Sequence, residues 1–171
     1  GMQVIGLAGD VTSAEVPAAL VAQTVEALGG LDILITNAGG PPPGPFESFD
    51  EAAWQKAMDM SFMSHVRLIR AALPHLRKSE AASVLAITSW VSKQPMLGLV
   101  LSNSIRAATA GLVKSLALEL GRDGIRFNSI MPGWTETERV QDLMAFRAKN
   151  NTTTIDEEIT KVVTEIPLGR M

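Results

Sequence analysis

The chain of 171 residues contains no cysteine and no tyrosine. Without cysteine it can form neither a disulfide framework nor a thiolate metal site, so no metal is expected. Without tyrosine it has no phenol for acid–base chemistry. No apolar stretch reaches the roughly 18 residues that a membrane-spanning helix needs. The start shows no charged region followed by an apolar signal core, which makes the cytoplasm the default location.

Charge of either sign is also scarce. Lys and Arg total 15 against 18 Asp and Glu, a net charge of −3. This balance argues against the clustered positive surface of a protein that binds nucleic acid or anionic membrane. Hydrophobic residues make up 46% of the chain, and the mean hydropathy is +0.18. We therefore expect one domain over residues 1–171 with a real core, which hides part of its apolar surface in an oligomer.

Apolar periodicity predicts alternating strands and helices. The expected strands are the short apolar runs at 4–7, 31–36, 83–89 and 125–131. The expected helices cover 14–28, the stretch from Ser48 or Asp50 to about Lys78, and 102–121. The run 31–36 has the pattern of a strand buried on both faces. The alternation predicts an α/β fold with a parallel sheet, helices on both faces and ligands at the carboxyl ends of the strands.

Local signals indicate where some of these elements begin and end. Thr12 or Ser13 is expected to cap the first helix, and Gly29 to end it. Pro74 is expected either to kink the long second helix or to end it early. Residues 150–154 read as a polar loop before a final helical piece.

The residues that carry chemistry all follow predicted strands. They are Asp10-Val11, Asn37-Ala38-Gly39, Ser89 and Pro132-Gly133. In this order, together with Ser-Ile-Arg-Ala-Ala at 104–108 and Gly-Ile-Arg-Phe-Asn at 124–128, they resemble the short-chain dehydrogenase/reductase family from its third strand to just beyond its sixth. The resemblance covers nearly the whole chain. It implies a Rossmann-like fold and an NAD(P)-dependent oxidoreductase that acts on a small carbonyl or alcohol substrate.

The same resemblance implies which residues contact a cofactor, NAD or NADP. Asp10 and Val11 correspond to residues that contact the adenine ring, and Asn37, Ala38 and Gly39 to a turn that shapes the backbone beside the cofactor. A further set, Pro132 and Gly133 with Thr135 and Thr137, corresponds to the segment that holds the nicotinamide carboxamide and neighbouring phosphates. For each set the alternative is an ordinary turn or cap.

The catalytic positions depart from the family pattern. Most members use a Tyr-x-x-x-Lys pair, a serine at a strand end and an asparagine further upstream. Here the serine is Ser89. When residues 106–108 are aligned with the family's usual Lys-Ala-Ala, Arg106 falls at the lysine and Ser102 at the tyrosine. Aligning residues 59–61 in the same way places Ser61 at the asparagine. An aliphatic hydroxyl is a weaker acid than a phenol and shorter by a ring, so Ser102 does not simply replace it. Arg106 keeps the four-residue spacing, and its guanidinium can still hold a ribose hydroxyl.

Two other side chains are candidates for moving a proton. Lys93, four residues beyond Ser89, is the best alternative acid, and the competing interpretation is a solvated loop lysine. His65, one helical turn after Ser61, is either a proton carrier or a packed, hydrogen-bonded histidine.

The sequence also lacks parts of the family pattern. No G-x-G-x-x-G phosphate-binding motif occurs, and the first βαβ portion and the last strand are missing, so the expected fold is incomplete. The opening Gly1-Met2 resembles a tag remnant before a start codon, which suggests a shortened gene; an N-terminal portion outside this chain fits equally well. The alternative function is therefore a non-catalytic binding or oligomerisation protein on the same fold. In either case we expect a homodimer or homotetramer through the helices 51–78 and 102–121.

Overall fold

A computed structural model describes residues 3–171, so the expectation about Gly1 and Met2 lies outside the described residues. The chain divides into two compact units, of which the first ends at Met131 and the second is Pro132–Met171. The first unit contains the sheet and most of the predicted motifs. The second contains two helices. A single domain over 1–171 stays a prediction.

Three parallel strands form the sheet of the first unit. They are β1 (Ile33–Thr36), β2 (Ser83–Ile87) and β3 (Arg126–Ile130), in the order β1-β2-β3. The central strand β2 aligns Ser83 with Ile33 on one side and with Arg126 on the other. Each strand lies within a predicted apolar run. The parallel α/β arrangement predicted from the sequence is confirmed.

Helices cover one face of this sheet in the first unit. The core there joins the sheet to α3 (Ser64–Leu76) and α4 (Val100–Leu120). Its buried members are Ile69, Ala72, Leu76, Ala82, Val84, Ala86, Val113, Ile125 and Phe127. Because side chains alternate along a strand, the other residues of the strands point to the opposite face, where Ile33 and Ile35 are each 60% exposed. Helices were expected on both faces of the sheet. Within this unit they cover one face, and the face with Ile33 and Ile35 is exposed.

Two predictions about the first strands are wrong. β1 is an edge strand with an exposed face and not a strand buried on both sides. The expected strand at 4–7 does not form, and Val4 is 83% exposed. A strand needs a neighbouring strand to satisfy its backbone groups. Within residues 3–171, β1 pairs only with β2, so the segment 4–7 has no strand beside it. The segment instead lies near α1 (Val16–Leu28), where the Gln3 side chain donates to the carbonyl of Ala27 at 3.2 Å.

The ends of α1 match the sequence signals in part. Gly29 ends the helix in the left-handed conformation at φ 83°, and its N–H donates to the carbonyl of Val25. The predicted cap is wrong, because the N-cap is Glu15 and its side chain makes no capping bond. Ser13 accepts only a long 3.4 Å bond from the Glu15 N–H.

The predicted long helix is continuous but contains a wide turn. It consists of α2 (Glu51–Met58), a π-helical turn at Asp59–Met63, and α3. Asp50, not Ser48, is its cap, since the Asp50 carboxylate accepts from the Ala53 N–H at 2.8 Å. Pro74 lies near the end of α3, which continues to Leu76. The π turn inserts a residue just where the sequence predicts a functional serine, Ser61, a frequent location for such turns.

The helix α4 begins two residues earlier than predicted. It starts at Val100 and ends at Leu120, so Ser102 and Arg106 both lie within its first two turns. A 3-10 turn at Gly121–Asp123 and the left-handed Gly124, at φ 77°, connect it to β3. The start of α4 is held by Asn103, whose side-chain amide exchanges hydrogen bonds with the backbone N–H and carbonyl of Met96.

The second unit contains α5 (Glu138–Asn151) and α6 (Ile155–Thr164). The final helical piece is confirmed, and the predicted polar loop shortens because α5 extends into it. A capping box between Thr154 and Glu157 starts α6. Next to it, Glu158 is only 3% exposed, and its carboxylate accepts bonds from Lys161, Thr153 and Asn151 at 2.6, 2.7 and 3.1 Å. This carboxylate fastens the turn after α5 to α6.

These bonds predict that the second unit loses stability in acid. The hydrogen bonds, that from Lys161 first, lower the pKa of Glu158 from 4.5 to about 2. A lowered folded-state pKa gives stability that is fully present above the unfolded-state pKa and is lost as pH falls toward the folded-state value. The hydrogen-exchange protection factors of α5 and α6, which compare the observed rate with the intrinsic rate at the same pH, should therefore fall between about pH 4.5 and pH 2 in the native chain. In Glu158→Gln these factors should already be low at neutral pH and change little over that window.

The control for this prediction is Glu136→Gln, which removes an exposed carboxylate from the same unit. It should leave the acid response of the native chain intact. An acid response in Glu158→Gln equal to that of the native chain would contradict the assignment.

Candidate functional site

The carboxyl ends of the strands bring several predicted residues to one edge of the sheet. β1 leads into Asn37, Ala38 and Gly39, here called the 37–39 loop, and β2 leads to Ser89. Because the strands are parallel and adjacent, these segments lie side by side at the edge where α/β proteins bind ligands. Asn37 and Gly39 are exposed there, and Ala38 is half-buried.

Ser61 lies in the π turn and contacts this loop directly. Ser61 is 2% exposed, and its hydroxyl donates to the carbonyl of Gly39 at 2.8 Å. The carbonyl of Ser61 in turn accepts from the hydroxyl of Thr109, on α4, at 3.0 Å. The predicted asparagine position therefore links the loop to two helices.

Arg106 holds the end of the second strand. Its Nη1 donates to the carbonyl of Thr88 at 3.0 Å, directly before Ser89. Thr88 is itself bound to the neighbouring strand, since its N–H and its hydroxyl donate to the carbonyl of Ile130 at 2.9 and 3.0 Å. Ser102 lies one turn before Arg106 on α4 and is 8% exposed. The Arg106 guanidinium therefore lies at the edge of the sheet where the strands end.

Ser89 and Lys93 lie at the two ends of one short turn. Ser89 precedes the 3-10 turn Trp90–Ser92, and Lys93 follows it. The hydroxyl of Ser92 donates to the carbonyl of Ser89 at 2.7 Å, which closes the turn. Lys93 is exposed, so its surroundings fit the alternative of a solvated loop lysine.

His65 lies beneath the loop and is buried. Its Nδ1 is 2.7 Å from the Thr36 Oγ1, a hydrogen bond between two side chains that are 2% and 1% exposed. Burial first, and then the positive charge of Arg106, lower the pKa of His65 from 6.5 to about 4. The ring is therefore neutral at physiological pH. Of the two alternatives for His65, the structure has the packed, hydrogen-bonded histidine.

The turn at Asp10 and Val11 is fixed to the long helix by a residue that the sequence analysis did not identify. Asp10 accepts from the Thr12 N–H at 2.9 Å, and this bond lowers the pKa of Asp10. Arg67 donates to the carbonyl of Thr12 and to the Asp59 carboxylate, each at 2.8 Å. The only available signal was an arginine two turns after an aspartate, a spacing too common to identify a contact with a remote turn.

The predicted segment with Pro132, Gly133, Thr135 and Thr137 belongs to the second unit. Thr137 is the N-cap of α5, and its hydroxyl donates to the carbonyl of Thr135 at 3.3 Å. Gly133 is exposed, and a Cβ placed on it would meet no atom within 4 Å. Its backbone is therefore open to a ligand. Trp134 lies under the Arg147 guanidinium at 5.3 Å.

Three threonines of the site were also missed: Thr36, Thr88 and Thr109, all buried. Each uses its hydroxyl to connect elements that meet at the strand ends. Among residues 3–171, no group of three or more His, Asp and Glu side chains could hold a metal ion. No helix in that part of the chain is long and apolar enough to cross a membrane.

Comparison with known proteins relates this arrangement to enzymes. 7alpha-hydroxysteroid dehydrogenase of Escherichia coli (strain K12) is 31% identical over 144 residues, which are 84% of this chain and 56% of that protein. Dehydrogenase/reductase SDR family member 4 of Oryctolagus cuniculus is 34% identical over 138 residues, 80% of this chain and 53% of that protein. The chain thus spans about half the length of these relatives.

A solved structure shows the same fold. L-sorbose reductase from Gluconobacter frateurii, in complex with NADPH and L-sorbose, is 28% identical and superposes with a TM-score of 0.85 over 96% of this chain and 63% of that one. The family model described as short chain dehydrogenase matches residues 1–148. On these matches and this fold, the chain belongs to the short-chain dehydrogenase family of oxidoreductases.

Proposed function

We propose that the chain takes part in NAD(P)-dependent hydride transfer between a nicotinamide cofactor and a small carbonyl or alcohol substrate. The observation that carries the proposal is the arrangement at the strand ends. There, Ser61 binds the backbone of the 37–39 loop, and Arg106 binds the backbone directly before Ser89. Family membership supports the same reaction class, and the solved relative holds NADPH.

The residues present fit the nicotinamide and ribose side of such a cofactor. A Cβ on Gly39 would come within 3.3 Å of the Met60 sulfur, so glycine allows the 37–39 loop to lie close to the Met60 side chain. The Arg106 guanidinium supplies donors for a ribose hydroxyl, as a lysine does in most of the family. The resemblance assigns the carboxamide or phosphate contact to the segment of Pro132 and Gly133. Asp10 and Val11 are the proposed adenine contacts, and Thr135 and Thr137 the proposed hydroxyl contacts. The cofactor, NAD or NADP, supplies the hydride.

The protein groups have separate proposed roles in moving the proton. Ser89 donates a hydrogen bond to the substrate oxygen, and Arg106 favours negative charge that develops there. Ser102 has an aliphatic hydroxyl and cannot donate its proton readily at neutral pH. Lys93 is therefore the proposed acid, and its long, flexible side chain reaches the substrate from an exposed position.

A cofactor titration tests the proposal. Because the chain has no glycine-rich phosphate turn, and such turns supply much of a pyrophosphate site, we expect binding weaker than micromolar, with a Kd of about 1 mM. In an NMR titration with NADH and with NADPH, amide signals of the 37–39 loop and of Ser89 should shift. Arg106→Met should reduce these shifts, because it removes the proposed ribose contact.

The matched control is Arg122→Met, in the exposed turn that precedes β3 at the opposite end of the sheet. It should leave the titration unchanged. Micromolar affinity would contradict the expected weakness. Shifts confined to other parts of the chain would contradict the location of the site.

A second candidate function is a non-catalytic binding or oligomerisation protein on the same fold. The observation that favours it is the complete absence of tyrosine, since no other residue of the chain offers a phenol. Under this alternative neither cofactor shifts any strand-end signal at millimolar concentration. Assembly then remains the function of the chain. In both cases we propose a cytoplasmic, single-domain protein that forms a homodimer or homotetramer and binds neither nucleic acid nor membrane.

A further inference from the structure

Two side chains of the long helix reach the same short segment of backbone. His65 shares a hydrogen bond with Thr36 at 2.7 Å, and Ser61, one turn earlier, donates to the carbonyl of Gly39 at 2.8 Å. Thr36 and Gly39 are the residues on either side of Asn37 and Ala38. The 37–39 loop is therefore held at its beginning and at its end by one helix.

Burial makes the His65 contact specific. A polar ring removed from water costs free energy unless it is hydrogen-bonded, and an apolar side chain would fill this position without that cost. The neutral state matches the surroundings, since a charged imidazole near Arg106 would be repelled. A neutral ring can share one bond with the Thr36 hydroxyl in either tautomer.

The same helix is joined to the helix of the other candidate residues. Thr109 on α4 donates to the carbonyl of Ser61, which lies in the wide π turn, where the normal i to i+4 bonding is interrupted. One turn earlier on α4, Arg106 donates to the carbonyl of Thr88. Two hydrogen bonds thus connect the 37–39 loop through Ser61 to α4.

We propose that His65 is a positioning residue of the candidate site, which fixes the start of the 37–39 loop through Thr36 while Ser61 fixes its end. His65 touches no ligand in this role. It sets the backbone against which the nicotinamide side of the cofactor packs, and to that extent the inference rests on the proposed function.

The test measures loop rigidity without any cofactor. Three variants are compared with the native chain by ¹⁵N relaxation: His65→Leu and Thr36→Val, which remove the bond, and His65→Asn, whose amide places a polar atom where Nδ1 stood. In the first two, order parameters of the 37–39 loop should fall from about 0.85 to below about 0.6, while those of Val84 and Phe127 in the core stay unchanged. His65→Asn should restore the rigid values.

A second readout follows NADPH binding in the same variants. Affinity should fall about 10-fold in His65→Leu and in Thr36→Val, because a mobile loop must be ordered on binding. If the loop loosens as expected but the native chain binds no NADPH, the proposed function fails and the positioning role stands.

Unchanged order parameters in both bond-removing variants would overturn the proposal. An equal loss of rigidity throughout the sheet would also overturn it, since that result describes a residue of general structural importance. Should His65→Leu fail to fold, Thr36→Val decides the question, because valine has nearly the shape of threonine.

Discussion

Replacing Lys93 by methionine is expected to lower the rate of carbonyl reduction by about 10²- to 10⁴-fold, the contribution typical of a positioned general acid. Ser102→Ala is expected to leave the rate nearly unchanged. An ammonium group carries a transferable proton at neutral pH, whereas an aliphatic hydroxyl does not. Lys93 and Ser89 also flank the same turn, so the proposed acid and the proposed partner of the substrate oxygen are close along the chain.

The measurement is the steady-state rate of NADPH oxidation, followed by absorbance at one fixed cofactor concentration for all variants, with diacetyl as a small carbonyl probe. The control is Lys78→Met, which removes another exposed lysine just after the end of α3. The opposite pattern, a slow Ser102→Ala and a normal Lys93→Met, would reject Lys93 as the acid. Absence of any turnover in the native chain would favour the non-catalytic alternative.

The elements of the fold were largely predictable because their signals are local. The branched apolar run that contains β2, the glycine at position 29 and the capping Asp50 each act on their own neighbourhood. The strand at 4–7 failed for a different reason. Its apolar composition is strand-like, but a strand exists only beside a partner, and sequence periodicity does not say which partners are present.

The candidate site was predictable as a set of positions but not as a set of contacts. The motif order predicted Ser89 at a strand end, and the resemblance to the family assigned Ser61 and Arg106 to its catalytic positions. Nothing local indicates that His65 bonds to Thr36, 29 residues away, or that Arg67 holds the carbonyl of Thr12, 55 residues away. Such bonds depend on how helices and strands meet, and threonine or arginine occurs too widely to identify them by type.

The outward side of α4 predicts self-association. Exposed residues recur there at helical spacing, at Ser104, Ala108, Gly111, Ser115 and Leu118. Small side chains allow two helices to approach closely, and Leu118, 86% exposed, is a large apolar group left in water. In the resembled family the corresponding helices pair with their symmetry mates, and two-fold symmetry is the commonest form of oligomer. Burying Leu118 would contribute about 1.5–3 kcal/mol for each copy.

The interface was also expected on the helix predicted over 51–78, and one residue proposed for its outer side lies in the core. The nearly all-apolar pattern of the helix predicted over 51–78 favours Ile69 as a residue of its outer side. This prediction is wrong, because Ile69 is 2% exposed and belongs to the core against the sheet. A charge at Ile69 would unfold the chain and say nothing about assembly. The test of the interface therefore belongs on α4.

Light scattering at low micromolar concentration should give a mass at least twice 18.2 kDa, and Leu118→Glu should lower it to the monomer value. A glutamate on the outward side of α4 would carry a charge without a partner into the helix pair, and burying such a charge is strongly unfavourable. The control is Leu97→Glu, which makes the same change at a residue that is 97% exposed and lies outside the helices. It should leave the mass unchanged.

Ile33 and Ile35 also leave apolar surface on the exposed face of the sheet. An oligomer that persists in Leu118→Glu and dissociates in Ile35→Glu would therefore place the interface on the sheet. A stable native monomer of 18.2 kDa would show that neither surface drives association.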